Sequence, residues 1–222
     1  MPVGLELELK LQADGAEPLR ALAGAERLGP ATLDPPGAVD EVDRYLDDAS
    51  GSLARARWAC RLRVRDGRTL VSLKGPAQQR PGDAAHRRPE LEGPATSDSD
   101  PSAWPPSEAR QLLLRMVAPG SLRERVRLEQ RRVERVARLD GRRIGMLSLD
   151  TVEVVHGDHR LGTLHIVELE LDPGQPQAVV DTLAAALRSR PGLRPDPLSK
   201  LEHALGMLRP DAAATPPAGG GG

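Results

Sequence analysis

Leu5-Glu6-Leu7-Glu8-Leu9-Lys10-Leu11 alternates apolar and charged residues with a period of two, and Val167-Glu168-Leu169-Glu170-Leu171 repeats the arrangement near the other end of the chain. In a strand, this puts Glu6, Glu8 and Lys10 on one face and the leucines on the other. Strand-like runs cover 3–11, 42–47, 57–65, 68–74, 86–93, 122–139, 142–155 and 162–172. Asp66-Gly67 and Asp140-Gly141 each separate two such runs and are two-residue hairpin signals. Helical spacing occurs near 16–28, 107–117, 176–189 and 197–208. The third of these carries Val179, Val180, Leu183, Ala186 and Leu187. The last opens on Asp196-Pro197, a cap followed by Pro at the first helical position, and places Leu198, Leu201, Leu205 and Leu208 on one side.

The charged faces differ in sign. Two strands presenting paired carboxylates could build one divalent-metal site from opposite walls, although either segment alone also reads as a half-buried strand with its charges in water. The turn at Asp66-Gly67 sets Arg61, Arg63, Arg65 and Lys74 on one face, with Leu62, Val64, Thr69, Val71 and Leu73 on the other. Like charges at that density repel unless anions lie between them, and a solvated basic face is the alternative. In His86-Arg87-Arg88-Pro89-Glu90-Leu91-Glu92, Arg88, Glu90 and Glu92 alternate onto one face. Pro89 makes the segment an edge, a bulge or a strand start, or the whole is a charged loop. Between Leu122 and Val155, a two-residue turn at Asp140-Gly141 pairs Arg131 with Asp150. That turns Arg131 inward and Arg132 outward; a bulge would swap them. A solvated basic ribbon or a nucleic-acid site is the alternative for this stretch.

Composition narrows the choice. At 222 residues a single domain with a real core is the default. The 31 basic and 32 acidic residues nearly cancel, so no general preference for nucleic acid or a membrane surface follows. Trp58, Trp104 and Tyr45 are the only aromatics, too few for stacking single-stranded bases. Cys60 is the single cysteine, which excludes an internal disulfide and a cysteine-based zinc site. No apolar run reads as a signal peptide or reaches transmembrane length, so a cytoplasmic protein is the simplest expectation. Residues 75–85 and 94–106, rich in Pro, Gly, Ser and Asp, predict mobile connections. Residues 210–222 read as a flexible tail, which leaves 1–209 as the folded domain.

The motifs taken together resemble the CYTH domain of the triphosphate tunnel metalloenzymes, a group that includes inorganic triphosphatases, thiamine triphosphatases and class IV adenylate cyclases. The resemblance rests on Glu6-x-Glu8-x-Lys10, Arg44-Tyr45-Leu46-Asp47, Leu62-Arg63-Val64-Arg65 and Ser72-Leu73-Lys74-Gly75. It continues through Arg88-x-Glu90-x-Glu92, Leu149-Asp150, Glu168-Leu169-Glu170-Leu171 and Leu198-Ser199-Lys200, and spans roughly residues 3–208. Leu46 and Asp48 depart from the family pattern, where an aromatic residue and a Thr are usual. The implied fold is α+β: a closed antiparallel barrel of about eight strands forming a charged tunnel, with helices packed outside on the leucine faces. The resemblance implies phosphate binding by Lys10, Arg61 or Arg63, Arg65, Lys74, Arg88, Arg131 and Lys200. It implies Mg²⁺, or Mn²⁺, on Glu6, Glu8, Glu168 and Glu170, with Asp150 and either Glu90 or Glu92 assisting. Lys10, Glu168 and Glu170 would be the catalytic residues.

Electrostatics agrees with such a site. Two carboxylates about 5 Å apart repel by roughly 3 kcal/mol at an effective dielectric near 20. A cluster of them therefore calls for raised pKa values or bound cations, and all-oxygen donors favour Mg²⁺ with Mn²⁺ close behind. The arginines and lysines call for a polyanion. The expected activity is metal-dependent hydrolysis of a triphosphate, inorganic tripolyphosphate foremost. Adenylate cyclase is the alternative within the fold, and a non-catalytic polyphosphate or nucleic-acid binder the alternative outside it. The expected partner is a small-molecule triphosphate or polyphosphate, with neither nucleic acid nor a membrane involved.

Overall fold

A computed structural model gives the backbone of residues 4–76 and 86–208 and the side chains of 7–76 and 89–208. The elements begin with β1 (Gly4–Ala13), α1 (Ala16–Ala23), β2 (Arg27–Leu28), β3 (Ala31–Leu33), β4 (Gly37–Asp47) and α2 (Ser52–Arg55). Next come β5 (Ala59–Arg65), β6 (Arg68–Lys74), β7 (His86–Pro94), α3 (Glu108–Met116), β8 (Arg123–Leu139) and β9 (Arg142–His156). The last are β10 (His159–Leu171), α4 (Gln177–Arg188), β11 (Leu193–Pro195) and α5 (Lys200–Met207). The class is α+β, with one large antiparallel sheet and few helices. Among the described residues, the strands run in the order β2-β3-β8-β4-β5-β6-β7-β1-β10-β9, with β11 on β1. β8 pairs along its length with both β4 and β9.

The alternation along the strands sorts their residues as expected. The outer faces are apolar. Leu9, Leu11, Leu147, Leu149, Val167 and Leu169 pack with Leu19 and Leu22 of α1 and with Val180, Leu183 and Leu187 of α4. A second cluster joins Leu62, Val71 and Leu73 to Leu113 of α3 and to Trp104. Removing this much apolar surface from water is what holds the helices against the sheet. Arg135, also buried, donates to the carbonyls of Leu22 and Ala23 at the end of α1 and to those of Leu33 and Asp34.

Three expectations are corrected. The pattern over 16–28 is not one helix. It stops at Ala23, Gly24 caps it by donating to the Arg20 carbonyl, and Arg27-Leu28 becomes a short strand paired with β3. The last helix starts at Lys200 instead of Pro197, because Ser199 and Glu202 form a capping box with reciprocal bonds. Nor does that helix pack outside. Leu201, Ala204, Met207 and Leu208 join Val126, Leu128, Val152, Val154, Leu164 and Ile166, which share strand parity with the charged residues of the inner face. The inner face is thus apolar at one end and capped there by α5. Leu198, expected on the buried side, is 43% exposed.

The fourth correction decides which arginine faces inward. The turn at Asp140-Gly141 has two residues, both at positive φ, and pairs Leu139 with Arg142 and Arg138 with Arg143. The register then shifts: Ala137 pairs with Gly145, so Ile144 is the extra residue of a bulge. From there Arg132 pairs with Asp150, and Arg131 faces Thr151. Gly145 sits where any Cβ would collide with the Glu170 carbonyl oxygen, so the close approach of β9 to β10 requires glycine. The expectations for 77–85 and 209–222 concern residues outside the described ones. Among the described residues, no helix is long and apolar enough to cross a membrane.

Candidate active site

The inner faces of β1, β5, β6, β7, β8 and β10 meet, together with Lys200 of α5, around a cavity of about 250 Å³. The basic wall comes from β5. Hairpin pairing of β4 with β5 places Tyr45, Asp43 and Glu41 opposite Arg61, Arg63 and Arg65. Asp43, fully buried, accepts from Arg63 Nε and a terminal guanidinium nitrogen at 2.7 and 2.8 Å, and from Gln130 Nε2 at 2.7 Å. Glu41 pairs with Arg63 at 3.2 Å and with Arg65 at 2.9 Å. Arg61 donates to Ser72 Oγ, which donates onward to Glu92. Arg61 Nε is buried and has no hydrogen-bond partner among the described residues. Lys74 lies 3.1 Å from Glu90.

The opposite wall is mixed. Glu8 and Glu170 are direct partners across β1 and β10, and Lys10 stands opposite Glu168. Below them, Arg132 donates to both oxygens of Asp150 at 2.8 Å and to Glu168 Oε2 at 3.1 Å. Lys200 reaches the same two carboxylates at 2.5 and 2.8 Å. Lys10 donates to the Leu198 carbonyl and lies 3.5 Å from Asp196.

The charges shape one another's protonation. Burial works against the ionised Asp43 carboxyl, but Arg61 and Arg63 outweigh it and hold the group well below the usual carboxylate range. Glu168 is partly buried, which again works against the ionised form, and Lys200, Arg132 and Lys10 outweigh it and hold the group down. Burial pulls Lys10 below its ordinary value, with Glu168 and Asp196 opposing. Lys200 is raised, because Asp150 and Glu168 overcome its burial. Folded-state values of Asp43 and Glu168 below their unfolded values contribute stability that is present above the unfolded pKa and lost as pH falls through the folded one. Stability should therefore decline as pH drops below about 4, the ordinary carboxylate value. Asp43→Asn, which has no proton to take up there, should lose stability less steeply. Urea midpoints for both proteins across that range provide the check, and parallel curves would show that Asp43 does not contribute.

Most of the sequence-predicted residues converge. Glu8, Lys10, Arg61, Arg63, Lys74 and Glu90 line the cavity, as do Glu92, Glu168, Glu170 and Lys200. Arg65 lies outside it, held by Glu41 and by Glu134 at 2.7 Å. Asp150 is fully buried beneath it, its oxygens taken by Arg132 and Lys200. Arg131, expected inward, is 59% exposed and pairs with Asp40, and Arg132 takes its place. The side chains of Glu6 and Arg88 fall outside the described residues; their backbones pair across β1 and β7. Sequence reasoning missed Glu41, Asp43, Gln130, Glu134 and Asp196. The first two share parity with Tyr45, so extending the β4 alternation two steps upstream would have found them. Asp47, part of the Arg44–Asp47 motif, serves the fold: its carboxylate accepts from the amides of Leu53 and Ala54 and seats the turn into β5.

The cavity thus holds a cation-rich wall facing carboxylates that offer only oxygen donors. Such donors suit a hard divalent cation, and Glu8, Glu168 and Glu170 supply them on neighbouring strands. Among the described residues, no three His, Cys, Asp or Glu side chains are already gathered as a ligand set.

The sequence profile of the CYTH domain matches residues 4–205. No curated protein matches the chain. Among solved structures, a Hippeastrum protein named for adenylyl cyclase and described as having a dominant triphosphatase activity is 22% identical. That alignment covers 90% of this chain and 95% of the other, with a TM-score of 0.65. A Bacillus halodurans protein named for adenylate cyclase is 16% identical, covering 90% and 98%, at 0.57. The PH1819 protein of Pyrococcus horikoshii is 17% identical over the same shares, at 0.55. At these identities the structural likeness is one of fold, and it agrees with the profile match over nearly the whole chain: the protein belongs to the CYTH family.

Proposed function

We propose that this protein hydrolyses a short linear triphosphate, tripolyphosphate foremost, with Mg²⁺ or Mn²⁺ as cofactor. The observation that carries the reading is the convergence of Lys10, Arg61, Arg63, Lys74, Arg132 and Lys200 on one cavity that also presents Glu8, Glu168 and Glu170. We take the sheet to act as a closed, barrel-like wall around that cavity, a view supported by the double pairing of β8 with β4 and β9. Triphosphatase activity in a relative of the same fold supports it too.

In this reading Arg61 and Arg63 bind phosphate oxygens from one wall. Their orientation is set beforehand by Asp43, so their remaining N–H groups are aimed without much further ordering. Lys74 and Lys10 add point charges from the flanking strands. Arg132 and Lys200, held by Asp150, present charge from the floor. Glu8, Glu168 and Glu170 would hold the divalent cation, with Glu90 or Glu92 assisting, and Glu6 and Arg88 enter on the sequence pattern alone. When bound, the cation supplies neutralisation of the triphosphate charge and polarisation of a phosphoryl oxygen. Screening tripolyphosphate and ATP with Mg²⁺, and following both phosphate release and cyclic AMP, tests the reading. Phosphate release from tripolyphosphate is expected to be the faster reaction. Cyclic AMP forming faster would overturn it in favour of a cyclase.

A further inference from the structure

We propose that Asp196 and His203 are positioning residues that latch the start of α5 onto β1 and so hold Lys10 and Lys200 in place for a triphosphate; the inference rests on the reading above. β11 pairs with β1 in the register Leu11↔Pro195, which delivers the next residue, Asp196, beside Lys10. The Asp196 amide donates to the Lys10 carbonyl at 3.1 Å. Its carboxylate, 3% exposed, is a three-way junction. It accepts from the Leu198 amide at 3.0 Å and from His203 Nε2 at 2.9 and 2.8 Å, and it lies 3.5 Å from Lys10 Nζ.

Both lysines depend on that junction. The Lys10 ammonium is engaged by the Leu198 carbonyl and by Asp196, so the segment after β11 fixes where it points. Lys200 lies three residues before His203 on α5, one turn along the same side. Tying His203 to Asp196 therefore sets the rotation at which Lys200 reaches Asp150 and Glu168. Glu202 is occupied by the capping box and does not compete for the contact. An ammonium on a four-carbon stem is otherwise free to rotate, and ordering it in advance lowers what binding must supply. Nothing in the triphosphate chemistry itself calls for Asp196 or His203, yet Asp196 is buried in the cavity lining and bonded to a partly buried His203.

The test is a calorimetric titration of tripolyphosphate, with steady-state kinetics in Mg²⁺ alongside. His203→Leu should raise Kd and KM about tenfold while kcat changes less than about twofold, because binding order is lost and the chemistry is not. Asp196→Asn should do the same. His203→Gln keeps a nitrogen donor at similar reach and should return Kd to within about twofold of the parent. Unchanged Kd in both His203→Leu and Asp196→Asn would overturn the latch. So would equal losses in His203→Leu and His203→Gln with matching falls in melting temperature, which would mark His203 as merely structural. A parent protein that binds no tripolyphosphate would instead overturn the functional reading and the latch with it.

Discussion

Replacing Arg132 by alanine should weaken tripolyphosphate binding by one to two decades and also destabilise the fold. Arg132 is 9% exposed, binds both oxygens of the fully buried Asp150, and reaches Glu168. Hydrogen bonds to charged groups are worth about 1.5–3 kcal/mol each, which sets the loss of affinity. Breaking a buried pair costs about 3–5 kcal/mol; Lys200 still contacts Asp150, so the lower end, about 3 kcal/mol, is expected. For a chain of this size, that lowers the melting temperature by roughly 6–12 °C. Arg131→Ala is the control. Its exposed pair with Asp40 is worth no more than about 1 kcal/mol, and it does not line the cavity. Thermal melts and binding titrations of the two variants decide the register: an Arg131→Ala effect equal to or larger than that of Arg132→Ala would contradict it.

That pair of arginines also marks where sequence reading runs out. The period-two alternation in β1 and β10 and the two Asp-Gly turns are local signals, and each leads directly to the observed strands and to the placement of Glu8, Lys10, Arg61, Arg63, Glu168 and Glu170. Parity carries along a strand only until a residue is inserted. The bulge at Ile144 reverses it between the turn and Arg132. Gly145, an isolated glycine in a strand pattern, was the available sign of that bulge. Glu41 lies just before the strand-like run at 42–47 and Asp43 lies within it; both escaped because their burial depends on partners from β5 and β8, distant in sequence. The place of α5 could not come from its apolar spacing, which is the same whether a helix packs on an outer or an inner face.

Glu170→Gln should lower turnover about a hundredfold or more at ordinary metal concentrations, with partial recovery as Mg²⁺ is raised. The substitution would remove the charge of one proposed ligand with little change of shape, and a loss of roughly 3 kcal/mol of charge stabilisation corresponds to that factor. Glu170 lines the cavity and is exposed, so the melting temperature should scarcely move. Its partner across the strands, Glu8, should lose turnover in the same way when changed to Gln, although its side chain is buried where that of Glu170 is exposed. An unchanged rate with unchanged metal dependence would remove Glu170 from the site.

In the proposed function, the cation wall and the carboxylates of this one cavity together process a metal–triphosphate. Phosphate release from tripolyphosphate, measured with Mg²⁺ in excess and then with chelator in excess, tests it most directly. Steady turnover is expected with the cation, none with chelator, and recovery when Mg²⁺ or Mn²⁺ is restored. Hydrolysis that continues undiminished in excess chelator, or no hydrolysis with the cation present, would contradict it.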